Sequence, residues 1–346
     1  MLSVKNPIMT GFFPDPSICR VGNKFYTVHS TFAYFPGVPV FESEDLVHWN
    51  LISNVLDRDS QVPLSGCQHS QGIFAPTIRY HKGTWYMITT NVSDQGNFIV
   101  TAKDPRGPWS EPYYLGESTG GIDPSLFFDD DGTCYYIGQR PRSAGYRYNG
   151  DCEIWIQTLD LDTMQLKPDA TIVLTGFQRK AIWPEGPHLY KKDGYYYILH
   201  AESGTSIHHS VMIARSKNVF GPYEYCPCNP ILTHRHLGAQ YPVTCVGHAD
   251  LVDDGNGNWY MVVLACRPNQ GYTLLGRETF LAKVTWEDGW PVVNAGVGHL
   301  EEVVTLPYEG QPSDDVPQCK TYTFDTPSLP LELLTLRNHR DHELEL

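Results

Sequence analysis

Short runs of apolar and aromatic residues, each opened by a polar turn, fill most of the chain. Lys24-Phe25-Tyr26-Thr27-Val28 follows Gly22-Asn23, and Trp85-Tyr86-Met87-Ile88 follows a turn at Gly83. Cys134-Tyr135-Tyr136-Ile137, Tyr195-Tyr196-Tyr197-Ile198 and Trp259-Tyr260-Met261-Val262-Val263 follow turns at Gly132, Gly194 and Gly257. Gly beside Asn or Asp supplies the positive φ of tight hairpins, and β-branched and aromatic residues suit pleated strands. No 3.6-residue apolar period is sustained anywhere, so helices are not predicted. Third strands follow the hairpins, as at Phe98-Ile99-Val100-Thr101-Ala102 and Val211-Met212-Ile213-Ala214-Arg215.

The five hairpins share a lead phrase. Its copies are Asp15-Pro16-Ser17-Ile18, Ala75-Pro76-Thr77-Ile78, Asp123-Pro124-Ser125-Leu126, Glu185-Gly186-Pro187-His188 and His248-Ala249-Asp250-Leu251. Eleven or twelve residues separate each lead residue from its strand tyrosine: Tyr26, Tyr86, Tyr135, Tyr196 or Tyr260. One supersecondary unit is used five times. Four short strands per unit and five units predict an all-β fold, a five-bladed β-propeller with four-stranded blades over residues 1–308. Residues 309–346 read as a short C-terminal extension, with one strand at Thr321-Tyr322-Thr323-Phe324 and an acidic, Leu-rich end. They are too few to form an independent domain.

Radial repetition turns that phrase into chemistry. Equivalent lead positions face one axis, so Asp15, Asp123, Glu185 and His248 are expected to converge. An Asp-Pro turn alone is as readily a cap as a catalyst; three acids at one repeat position point to a site. Hydrolysis of an acetal needs one ionised carboxylate to activate water and one protonated carboxyl to release the leaving oxygen. Burial and a neighbouring negative charge raise the donor's pKa. The third and fourth blades are adjacent, which makes Glu185 the proton donor beside Asp123 and leaves Asp15 as the base. Placement across a channel favours the inverting carboxyl separation of roughly 6.5–9.5 Å.

Composition narrows the partners. The net charge of −14 over 346 residues excludes a nucleic-acid partner, which requires a basic face. No apolar leader opens the chain and no apolar run is long enough to span a membrane, so a cytoplasmic location is expected. Nine cysteines without a regular framework, including Cys226-Pro227-Cys228, read as free thiols. A channel lined by carboxylates could hold a hydrated hard cation beside His248. Asp254-Gly255-Asn256-Gly257-Asn258 opens like an EF-hand loop, but Trp259 stands where Gly is required, so it reads as a hairpin tip. His208, His209, His234 and His236 lack the spacing of a zinc site. Aromatic residues beside the lead positions, chiefly Phe32, Phe74 and Trp183, are candidates to stack on sugar C–H faces.

These motifs together resemble glycoside hydrolase family 43 from Asn6 to about Leu306. The resembling pieces are Asn6-Pro7, Gly11-Phe12-Phe13-Pro14-Asp15-Pro16-Ser17, Phe74-Ala75-Pro76-Thr77, Gly121-Ile122-Asp123-Pro124-Ser125, Trp183-Pro184-Glu185-Gly186-Pro187-His188 and Gly247-His248-Ala249-Asp250. The resemblance implies a five-bladed propeller and inverting hydrolysis, with Asp15 as base, Asp123 as pKa modulator and orienter, and Glu185 as acid. It implies that Arg277 meets the sugar 2-hydroxyl and that His248 helps hold a hydrated calcium, which the chemistry itself does not require. Substrates are expected to be pentose-containing oligosaccharides or polysaccharide. The exo-acting α-L-arabinofuranosidase and β-xylosidase branch is the nearest. Phe74 stands where many β-xylosidases of the family carry Trp, and the C-terminal β-sandwich that walls their pocket is not expected here. Both departures favour release of α-L-arabinofuranose from arabinoxylan-type hemicellulose, with β-1,4-xylosidase or a bifunctional enzyme as the alternative. A non-catalytic carbohydrate-binding propeller is the reading from a different class.

Overall fold

In a computed structural model of the chain, residues 1–116, 120–176, 179–310, 321–325 and 329–338 are described. The repeated phrase forms the innermost strand of five antiparallel sheets. Blade one is β2 (Ser17–Val21), β3 (Lys24–Val28), β5 (Gly37–Ser43) and β6 (Asn50–Leu56). Blade two is β7 (Thr77–His81), β8 (Thr84–Asn91), β9 (Gly96–Ala102) and β10 (Tyr113–Tyr114). Blade three is β11 (Ile122–Phe128), β12 (Cys134–Pro141), β13 (Cys152–Asp160) and β14 (Gln165–Leu166), with a fifth strand, β15 (Thr171–Thr175), also on β13. Blade four is β16 (Glu185–Lys192), β17 (Tyr195–Glu202), β18 (Ser210–Ser216) and β19 (Glu224–Tyr225). Blade five is β20 (Thr244–Asp253), β21 (Trp259–Cys266), β22 (Glu278–Glu287) and β23 (Trp290–Val293). The five-bladed propeller is as expected; the fifth strand of blade three departs from the four-stranded pattern.

Strand alternation explains why these strands read as nearly continuous apolar runs. Successive side chains point to opposite faces, and each face of a blade meets a different neighbour. In β8, Trp85 and Met87 pack toward blade one, while Tyr86 and Ile88 pack toward blade three. In β21, Met261 and Val263 join the interface with blade four, and Tyr260 and Val262 that with blade one. Five apolar clusters thus fill the five blade interfaces.

The ring closes through its first residues. β1 (Leu2–Lys5) pairs with β24 (Val303–Leu306) in the gap between blades five and one. Asn6 then imitates a strand: its Nδ2 donates to Leu281 O at 2.8 Å, and its Oδ1 accepts from Leu281 N at 2.8 Å. Phe13 N donates to Arg277 O, bringing Asp15 beside blade five.

The strand expected at Thr321–Phe324 is absent. Extension residues further on pair instead: β25 (Thr335–Leu336) lies antiparallel to β4 (Tyr34–Phe35). Arg337 Nε donates to Cys67 O at 2.6 Å, and Asn338 Oδ1 accepts from Leu64 N at 2.5 Å. The acidic end from 339 to 346 lies outside the described residues. Among the described residues the cysteines are free thiols, and no helix is long and apolar enough to cross a membrane.

Candidate active site

Ladder register places the lead positions and corrects one of them. Ser17 pairs with Val28, Thr77 with Ile88, Ser125 with Ile137, His188 with Leu199 and Asp250 with Val262. Counting back two residues gives Asp15, Ala75, Asp123, Gly186 and His248 as equivalents. Glu185 therefore stands one residue before the slot, and the equivalent tyrosine is Tyr197, opposite Tyr190, rather than Tyr196. Backbone angles agree at four of the five: φ is 53° at Asp15, 55° at Asp123, 57° at Gly186 and 49° at His248, whereas Ala75 is not left-handed. A left-handed residue carrying Cβ is strained, and such residues gather where side chains must be aimed. Register shifts at Ile122/Ser125, Glu185/His188 and Gly247/Ala249 are the bulges that turn these side chains toward the axis. Asp and His hold the same φ elsewhere in the ring, but at Gly186 a Cβ would come within 2.9 Å of His248 Nε2, which favours glycine.

Beneath the lead positions a buried polar hub ties all five inner strands. Asp250 Oδ2 accepts from Ser17 Oγ at 2.8 Å, Ile18 N at 3.0 Å and Arg79 Nη1 at 3.0 Å. Tyr190 donates to Asp250 Oδ1, while His188 Nδ1 lies 3.1 Å from Arg79 Nη2 and 3.2 Å from Ser125 Oγ. Burial works against the Asp250 charge, but Arg79 above all holds its pKa down at about 2. Burial pushes His188 down to about 3, so it is neutral. Asp250 belongs to the repeated phrase, whereas nothing in the pattern marked Arg79 as its partner.

Asp15 and Asp123 are buried, and Glu185 is partly covered. Asp15 Oδ1 accepts from Arg277 Nη1 at 2.6 Å, and its Oδ2 from Ser30 Oγ at 2.6 Å. His248 Nδ1 lies 3.6 Å from Asp15 Oδ1. Burial penalises the Asp15 charge, but Arg277, His248 and Ser30 together outweigh it and hold the carboxyl below its usual range. Glu185 moves the other way. Burial, and then the negative charge of Asp15, lift it to about 7 against the pull of Arg277. Asp123 is raised well above the ordinary value by burial and then by the charges of Glu185 and Asp15. Its Oδ2 accepts from Gly186 N at 3.0 Å, a bond to the peptide that carries Glu185. Asp123 is thus tied to Glu185 through the backbone, while Asp15 is the neighbour whose charge lifts Glu185. Ser30 was not marked by the sequence pattern.

The aromatic candidates divide between two sides. Phe32 packs edge-on to Phe74, ring centres 5.3 Å apart, and Arg277 Cζ lies 5.3 Å from the Phe32 ring centre. A cavity of about 850 Å³ opens beside Arg277, Ser30 and Phe32, and Phe12, Tyr34 and Leu331 help line it. Trp183 lies on the other side, in the wall of a cavity of about 1290 Å³ between blades two and three.

His248 is buried, and burial lowers its pKa. Among the described residues no group of three or more His, Cys, Asp or Glu side chains is arranged to hold a metal ion. Calcium takes six to eight oxygen ligands, so a single imidazole fits such an ion only through the ion's own waters. Both nitrogens of His234 are occupied, by Val243 O and Leu300 N. Asp254 caps its own hairpin tip through Asn256 and Asn258.

Residues 4–291 match the sequence profile of the glycosyl hydrolases family 43. The chain is 66% identical over 307 residues to a xylosidase/arabinosidase of Butyrivibrio fibrisolvens, covering 88% of this chain and 59% of that protein. It is 44% identical to the non-reducing end alpha-L-arabinofuranosidase of Bacteroides ovatus, covering 96% of this chain and 61% of that protein. The solved structure of a xylan beta-1,4-xylosidase from Bacillus halodurans superposes with a TM-score of 0.86 at 40% identity, over 96% of this chain and 64% of that one. The chain spans about three-fifths of the length of the curated relatives it matches. Profile, identity and propeller agree: the chain belongs to glycoside hydrolase family 43.

Proposed function

We propose that this site hydrolyses terminal pentosides with inversion, releasing α-L-arabinofuranose from arabinoxylan-type chains. The observation that carries the reading is the opposite protonation of two converging carboxyls: Asp15 held ionised, Glu185 lifted to about 7. Asp15 takes a proton from water as the water oxygen bonds to the anomeric carbon. Glu185 gives its proton to the glycosidic oxygen as the old bond breaks. The products are a free pentose and the aglycone alcohol, and proton exchange with solvent resets both carboxyls. Arg277, bonded to Asp15 here, would exchange that contact for a sugar hydroxyl.

Phe74, in place of the larger Trp, supports the arabinofuranoside. β-1,4-Xyloside hydrolysis is the second reading, because relatives named for xylosidase activity match at similar identity. Rates on paired 4-nitrophenyl α-L-arabinofuranoside and β-D-xyloside, followed by the anomer first released in NMR, test both. Turnover of neither substrate, with sugar binding intact, would make the chain a carbohydrate-binding propeller. A hydrated cation beside His248 would orient the site without entering any step. Elemental analysis and activity after chelation check it; unchanged activity with no bound metal removes it.

A further inference from the structure

Cys245 stands three residues before His248, and Cys266 ends the neighbouring strand β21. Thr244 pairs with Cys266 across the ladder, so plain alternation would turn Cys245 to the opposite face. A bulge between Thr244 and Gly247 and a φ of 59° at Cys245 undo that alternation. Cys245 Sγ lies 3.6 Å from Thr244 Oγ1, and the two thiols hydrogen-bond to each other. A left-handed residue carrying Cβ is strained; here that conformation brings two sulfurs together.

The two thiols are not equivalent. Cys245 is 9% exposed and Cys266 5%. The bond from Cys266 holds the Cys245 thiol below its ordinary range, and the same bond, with burial, pushes Cys266 up. Burial instead raises Cys19, Cys134, Cys152 and Cys226. The thiolate is the form that attacks oxidants. Cys245 is therefore the attacking sulfur and Cys266 the resolving one.

Both thiols connect to the groups around Asp15. Cys245 O lies 3.2 Å from His209 Nδ1, and a Cβ on Gly247 would come within 2.4 Å of the His209 ring, so His209 lies against the residue before His248. Cys266 precedes Arg267, whose guanidinium bonds Glu278 at 2.6 and 2.8 Å. Glu278 Oε1 also accepts from Gly11 N at 3.0 Å, on the segment leading to Asp15, and Glu278 follows Arg277 in the chain. Drawing the sulfurs to the bonding distance of about 2.05 Å shifts the β20 and β21 ends that carry these supports.

We propose that Cys245 and Cys266 are a redox-active pair, closed to a disulfide by a peroxide and reopened by a thiol, and that closure slows hydrolysis at the site. Only the slowing rests on the hydrolytic reading above. The Cys245 thiolate attacks one peroxide oxygen and the O–O bond breaks. The released hydroxide takes up the proton that the thiol gave up, and Cys245 becomes a sulfenic acid. The Cys266 sulfur then attacks the Cys245 sulfur, the S–O bond breaks, and the hydroxyl leaves with the Cys266 proton as water. Two thiols lose two electrons, and one hydrogen peroxide becomes two waters. Dithiothreitol reverses the closure by exchange and becomes a disulfide itself.

The test is peptide mapping of the whole chain by mass spectrometry after brief treatment with hydrogen peroxide. Rates on the two 4-nitrophenyl pentosides are measured before oxidation, after it, and after dithiothreitol. A peptide joining Cys245 to Cys266, two hydrogens lighter than its parts, is expected. With it kcat/KM should fall by about ten- to a hundredfold, the scale of a ~1 Å misplacement near reacting atoms, and dithiothreitol should restore it. The double variant Cys245→Ser, Cys266→Ser should keep its rate through the same treatment; the wild-type map decides the pair even where that variant does not fold. Absence of the joined peptide, at peroxide levels that oxidise other cysteines, overturns the pair. The joined peptide with an unchanged rate, or the same reversible loss in the double variant, overturns the slowing. Wild-type inactivity on every pentoside before oxidation would instead defeat the hydrolytic reading, and the mapping alone would then decide the pair.

Discussion

Asp15 and Glu185 belong to the repeated phrases of the first and fourth blades, yet their surroundings push them in opposite directions. Asp15 sits in the left-handed slot with a guanidinium, an imidazole and a hydroxyl around it. Glu185 stands one residue earlier, and its strongest charged neighbour is Asp15 itself. Both are desolvated; the difference is the sign of the charge each one meets. A fold that repeats one backbone five times can therefore separate an acid from a base by what the neighbouring blades contribute.

The sharpest break in that comparison is Glu185→Gln. Loss of the proton donor is expected to lower kcat on natural glycosides by about 10²–10⁴. Aryl glycosides with good leaving groups should fall less, because they need less protonation. Equal losses on both would place the proton donor elsewhere.

The shared scaffold is tested by Asp250→Asn, which leaves Arg79 buried without its counter-charge. Breaking such a pair is expected to cost about 3–5 kcal/mol in urea unfolding. Asp250 titrates at about 2 when folded, below its ordinary 3.8. Its contribution is thus full above that ordinary value and is lost as pH falls toward 2. The variant should show a flatter loss of stability with acid across that window.

Arg277→Ala removes the cation that most favours the Asp15 charge. Without it the Asp15 pKa must rise, and the acid limb of kcat/KM should move up by about one to three pH units. Arg277 also pulls Glu185 down, so the alkaline limb should rise as well. Limbs that stay in place would contradict the assignment of Asp15 as the ionised partner.

The smallest effect separates orientation from charge at Asp123. Asn keeps an oxygen for Gly186 N, whereas Ala removes it. If orientation dominates, Asp123→Asn should retain more kcat than Asp123→Ala, by an amount equal to one hydrogen bond of about 0.5–1.5 kcal/mol. Equal losses would assign Asp123 a purely electrostatic role.

Much of this was legible before any coordinates. Repeat spacing, hairpin turns and the acid at each lead position led to the blades and to the converging carboxyls. The fourth repeat misled by one residue for a physical reason. Tyr195, Tyr196 and Tyr197 are consecutive, so any of them satisfies the spacing, and a bulge hides the extra residue before His188. The fifth strand of blade three and the pairing of Thr335–Leu336 with Tyr34–Phe35 depend on tertiary neighbours that no local pattern encodes. The Arg79–Asp250 hub escaped notice because a charge within a strand looks like a solvated position until the ring closes around it.

Glu185 is expected to hold a proton near neutral pH while Asp15 does not. A ¹³C NMR titration of side-chain carboxyls, with the Glu185 resonance assigned by its absence in Glu185→Gln, measures this directly. A midpoint near 7 is expected for Glu185 and one below the ordinary 3.8 for Asp15. A Glu185 midpoint at the ordinary 4.5, or an Asp15 midpoint above the ordinary 3.8, would overturn the opposite protonation of the pair.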